Sequence, residues 1–150
     1  MRPFKRKTSG PNRLPLDGPW SVLEGKHNGR VMFVRRNIGY REFGSLAGYE
    51  HQVGIAVPFR SPEVTGLPTP AEDALVGEIE EIVCRSMEEQ AVSLLVAVIT
   101  TGGMREFVFY THDPQRVRER FAQLSNRITS HEIQLMIQSD TIWRVYSQLG

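Results

Sequence analysis

His51, His112 and Asp140 are the nearest approach in this chain to an acid–base set. An imidazole oriented by a carboxylate can act as a general base, which is the minimum a small hydrolase needs. The same residue types also suit zinc or iron. Neither set is complete. The only cysteine, Cys84, belongs to a helix remote from these residues, and no serine is obviously poised beside them. Metal-ligand spacings such as His-Glu-x-x-His do not occur, so neither metal nor cofactor is expected. Asp140 has a simpler use as the cap of a terminal helix.

Thr101, Gly102, Gly103 and Arg105 are the second candidate. Hydroxyls, backbone N–H groups around two glycines and a guanidinium could hold an anion or a carboxylate. The plainer account is favoured, because no phosphate-loop lysine accompanies them. On that account the glycines make a turn, and Arg105 pairs with Glu106 or Glu132.

The strand that starts at Arg105 also invites comparison with the base-stacking strand of RNA-binding sheets. Only its second half, Phe107-Val108-Phe109-Tyr110, carries aromatics. Arg105 and Glu106 stand where a stacking aromatic and a glycine belong.

These residues need elements to position them. Trp20–Glu24 and Arg30–Arg36 read as strands about Asn28-Gly29, a dipeptide suited to a tight hairpin. Asn37 to Tyr49 reads as a glycine-rich loop of the kind that is functional or mobile. In the strand His51–Val57, His51, Val53, Ile55 and Val57 share one face. The other face, Gln52, Gly54 and Ala56, is polar or small, so something can approach its backbone closely. Thr69-Pro70-Ala71-Glu72 starts a helix as a capping box. Leu75, Ile79, Ile82, Val83 and Met87 form its expected buried stripe, with Glu72 among seven acids on the solvent side.

Val92–Thr101 and Met104–Thr111 form a hairpin across Gly102-Gly103. Asp113-Pro114 opens a second helix, buried along Val117, Phe121 and Leu124 and exposing Arg116, Arg118, Arg120 and Arg127. His131–Gln138 alternates as a last strand, after which a turn or short helix brings Trp143 and Tyr146 against the body.

Strand, helix, strand, strand, helix, strand is the order of a ferredoxin-like split βαβ sandwich. An antiparallel sheet with both helices on one face is therefore expected, with the N-terminal hairpin extending the sheet or shielding its second face. In that topology His51, Tyr110, His112, Gln138 and Asp140 gather at one end. Phe59, Arg60, the double-glycine turn, Arg105 and His131 gather at the other.

The whole chain is 150 residues, with 40% hydrophobic and 23% charged side chains. That suits one globular domain, placed at residues 20–150. Residues 1–19 read as a flexible basic tail, with Arg2, Lys5, Arg6, Lys7 and Arg13 in its first thirteen positions. All 17 acidic residues follow Arg13, so the body is net acidic and a nucleic-acid partner is not expected. A lone cysteine permits no internal disulfide and fits a reducing compartment. No apolar run nears the ~20 residues that span a bilayer, and no apolar stretch follows the first basic residues. A cytoplasmic protein without membrane contact is expected.

Three stretches resemble a known family. They are His51-Gln52-Val53-Gly54-Ile55-Ala56-Val57-Pro58, Gly66-Leu67-Pro68-Thr69, and Thr100-Thr101-Gly102-Gly103-Met104-Arg105-Glu106-Phe107-Val108-Phe109-Tyr110-Thr111. The family is a bacterial one, domain of unknown function 695, and the resemblance runs from about Trp20 to Trp143 and Tyr146. It implies an α+β fold of this kind and supplies no reaction, cofactor or catalytic residue.

The functional expectation is a non-catalytic binding or regulatory module for a protein partner, a second copy or a small ligand. The acidic and arginine-rich helix faces are complementary patches that could steer such association. The competing reading is a small hydrolase at the His51, His112 and Asp140 end.

Overall fold

A computed structural model describes residues 14–150. Residues 1–13, which hold the five basic side chains of the expected tail, lie outside the described residues. Residues 14–19 touch the body: the Pro15 carbonyl accepts from Asn37 Nδ2, and the Pro19 carbonyl from the Ile38 N–H.

Asn28 and Gly29 take positive φ (53° and 78°) and turn β1 (Trp20–His27) onto β2 (Arg30–Asn37). A 3-10 helix (Ile38–Phe43) leads to β3 (His51–Pro58), then α1 (Pro70–Glu88) and a short 3-10 turn (Glu89–Ala91). After these come β4 (Ser93–Thr101), β5 (Met104–Thr111), α2 (Pro114–Arg127), β6 (Gln134–Ser139) and α3 (Arg144–Ser147). Gly102 and Gly103, at φ 61° and 85°, close the β4–β5 hairpin with Thr101 opposite Met104. The result is a mixed α+β fold on one six-stranded antiparallel sheet, ordered β1-β2-β4-β5-β3-β6. The leading hairpin extends the sheet.

Period-two alternation gives the sheet two faces. Val53, Ile55, Val57, Phe107 and Phe109 meet Val76, Ile79, Val83 and Met87 of α1 and Val117 and Leu124 of α2 in one core. Leu94, Val96, Val108 and Tyr110 face the other way, against Tyr40, Trp143 and Tyr146. The glycine-rich loop is thus a packed cover for the second face, with Tyr40 fully buried. Trp143 stacks on Tyr110 at 4.1 Å and 9°, and its Nε1 donates to the Tyr49 carbonyl at 2.8 Å.

Three expectations about helix faces and strand limits are corrected. Leu75 is exposed and Val76 takes its place, because the α1 stripe runs 72, 76, 79, 83, 87. That 3.6-residue column turns Glu72 inward. Arg120 lies inward beside Val117 and Leu124, donating to the Ser86 and Glu89 carbonyls at 2.8 and 2.9 Å. Both carbonyls lie at the negative, C-terminal end of α1, where a guanidinium is a favourable donor. The last strand starts at Gln134 rather than His131, since His131 is drawn to Glu72 instead of into the ladder.

Candidate ligand-binding groove

β3 begins at His51, opposite Thr111 of β5 and Ser139 of β6. His51, His112 and Asp140 therefore share one end of the sheet. Asp140 is committed elsewhere: Oδ1 accepts from the Arg144 N–H at 2.7 Å, and Oδ2 from the Val145 N–H at 3.0 Å and the Tyr110 hydroxyl at 2.7 Å. Burial alone would raise its carboxyl, but these donors hold it below the usual aspartate range. The His112 ring meets Tyr49 edge-on at 5.2 Å. Among the described residues, neither imidazole hydrogen-bonds to Asp140, and no cluster of three or more His, Cys, Asp or Glu offers a metal site. Burial also pushes the Cys84 thiol up, with Glu80 and Glu88 adding to it, so its thiolate is scarce at neutral pH.

The double-glycine turn is a rim between two grooves. Thr100 and Arg105 are cross-strand partners on the helix side, whereas Thr101 and Met104 are partners on the second face. The pleat thus parts Thr101 from Arg105. Arg105 donates from Nε to Thr100 Oγ1 and from Nη2 to Asp73 Oδ1, both at 2.8 Å. Its partner is therefore Asp73, because Glu106 points to the opposite face. The Gly103 N–H donates to the Gly66 carbonyl at 2.9 Å, and Thr101 Oγ1 to the Val31 carbonyl at 2.8 Å. A helix-side groove of about 530 Å³ includes Phe33, Val98 and Pro68. Its two guanidiniums are already neutralised, Arg105 by Asp73 and Arg35 by Glu80.

A relay that the sequence did not disclose lies at this end. His131 Nε2 is 2.7 Å from Glu72 Oε2, and Ser130 Oγ is 3.1 Å from Nδ1. Hydroxyl, imidazole and carboxylate in line suggest a nucleophile and its base. Here the carboxylate is saturated, since Glu72 also accepts the Arg60 and Ser61 N–H groups. The His131 side chain has no exposure. These bonds tie the start of α1 to the chain after β3 and the chain before β6. They are structural.

Glu106 is different. It lies on the second face between Ile99 of β4 and Ala56 of β3 in the cross-strand register. Its side chain leans over Gly54, where an added Cβ would collide with Oε2, and Met136 Cε lies on the far side of that position. The small residues expected to admit a close approach to β3 admit this carboxylate. Burial raises the Glu106 carboxyl, and among the described residues no hydrogen bond or ion pair offsets it. Arg36 is held on the Gly150 carbonyl and over the Tyr146 ring, and Arg30 Nη1 is turned toward Gly66.

Beside Glu106 opens a groove of about 610 Å³, with Met32, Ile99, Met104, Val145 and Leu149 as apolar walls. Among the described residues, the segment after Asp140 and the Tyr40 loop cover part of the second face and leave this groove open beside them. Groove and carboxylate escape local sequence reading because strand register sets them beside each other. The one local signal is Gly54 with Ala56.

A family model described as a family of unknown function (DUF695) matches residues 19–149. No curated protein and no solved structure gives a significant match.

Proposed function

This chain belongs to DUF695, a family of unknown function, and from that premise we propose that it is a non-catalytic binding or regulatory module whose ligand or partner occupies the open half of the second face. The observation that carries the reading is the contrast between sites. Asp140, Thr101, Arg105 and the Glu72–His131 pair are spent on holding the fold, whereas Glu106 has no partner among the described residues and lines a largely apolar groove of ligand size. The hydrolase alternative at His51, His112 and Asp140 is disfavoured because, among the described residues, neither imidazole bonds to Asp140, whose carboxylate caps α3.

The unit from β3 to β6 is read as a ferredoxin-like split βαβ, a reading supported by the strand order β4-β5-β3-β6 and by α1 and α2 sharing one core. Cytoplasmic residence is part of the proposal, supported by the single cysteine. No described helix is long and apolar enough to cross a membrane. Association with a second protein or a second copy would use the acids of α1 and the outward arginines of α2.

A neutral, cationic and anionic fragment set, followed by amide chemical-shift mapping, tests the groove. Bound fragments should perturb Met32, Ile99, Thr101 and Leu149, and Met104→Trp should abolish the effect by filling the space. An esterase activity lost on His51→Ala or His112→Ala would overturn the reading in favour of the enzyme.

A further inference from the structure

We infer that the second-face groove takes a small organic cation, an ammonium on an apolar body, with Glu106 as its counter-ion. This rests on the binding role proposed for the groove and names the chemistry that the groove selects.

A half-buried carboxylate without a donor is costly, because desolvation penalises its charge and no partner among the described residues offsets it. Such a group lowers stability and is readily lost unless another use retains it. The Glu106 side chain lines the groove with Ile99, Met104 and Leu149, and its Oε2 lies over Gly54 at the groove's β3 side. A ligand ammonium there would donate charge-assisted hydrogen bonds to Oε1 and Oε2, stronger than neutral ones in partly dry surroundings. Methionine side chains adapt to varied apolar bodies, and Met32 and Met104 flank the space. An anion is disfavoured because, among the described residues, no guanidinium or ammonium lines the groove, where His27 is the one basic side chain, and Arg36 is held on the Gly150 carbonyl. A volume of about 610 Å³ fits a small molecule better than a broad protein surface.

Phenethylamine, 2-phenylethanol and 3-phenylpropionate offer one ring with three charge states. Binding is measured by amide shift titration of the full chain, as wild type and as Glu106→Gln. For wild type the amine should bind about tenfold tighter than the alcohol, the worth of one charge-assisted contact. The carboxylate should bind weakest. In Glu106→Gln, an isosteric change expected to fold, amine and alcohol should become equal while the alcohol's affinity stays unchanged. Equal binding of amine and alcohol to wild type, or an amine preference that survives Glu106→Gln, would overturn the cation inference and leave the groove standing. Absence of any shift at Met32, Ile99 and Leu149 with all three probes would remove the groove itself.

Discussion

Trp143→Ala should cost about 4 kcal/mol of folding stability, near the top of the range for a buried aromatic. For a domain of this size that is a fall of roughly 10 °C in Tm, measurable by calorimetry or by urea unfolding. The indole has no exposure, stacks on Tyr110, and touches Tyr40 and Tyr146 at 5.7 Å between centroids. Its Nε1 satisfies the Tyr49 carbonyl, so truncation leaves a cavity and an unpaired acceptor. It is the keystone of the cover over half of the second face. A loss below about 1 kcal/mol would mean that this cover is loosely held and that the open half has no fixed border.

Glu72→Ala should cost about 3 kcal/mol, because two backbone N–H groups and one imidazole lose their acceptor together. The pH dependence has a definite sign. Burial works to raise the Glu72 carboxyl, but the Arg60 and Ser61 N–H groups and His131 bring it below its ordinary value of 4.5. A folded value below the unfolded one supplies stability that is fully present above the unfolded value. It is lost as pH falls through the folded value. Wild type and Glu72→Ala should therefore differ most at neutral pH and converge in acid. In a double-mutant cycle, Glu72→Ala and His131→Ala should be strongly non-additive. Additive effects would mean that the pair contributes nothing jointly.

Turn chemistry and strand alternation made much of this fold legible. Asn28-Gly29 and Gly102-Gly103 marked both hairpins, Thr69-Pro70 and Asp113-Pro114 marked both helix starts, and the element order placed Arg60 and His131 at the same end. Charged residues that serve the interior were not legible. Glu72 and Arg120 look like surface groups in a run of acids or arginines. For Glu72 the inward position follows from an α1 phase that one residue's difference, Val76 for Leu75, decides, and for Arg120 from its place in the α2 column between Val117 and Leu124. What they bond to comes from distant parts of the chain. For Glu106 the sequence offered Gly54 and Ala56 as a hint of close approach. Only the pairing of Ala56 with Glu106 identifies what approaches.

The stretch Thr101 to Arg105 teaches the converse. Residues adjacent in sequence and suited to one anion site are parted by the pleat, and each is already bonded. Cross-strand geometry divides them between two grooves, with Thr101 and Gly102 on the second-face groove and Arg105 on the helix-side one.

Everything functional here turns on a carboxylate at Glu106 that has no partner among the described residues. The direct measurement is its titration by side-chain carbonyl ¹³C NMR in the ligand-free protein. A midpoint above the ordinary glutamate value of 4.5 is expected, since burial raises it and no donor among the described residues pulls it down. A midpoint at or below that value would reveal a compensating donor or cation inside the fold, and would contradict the account.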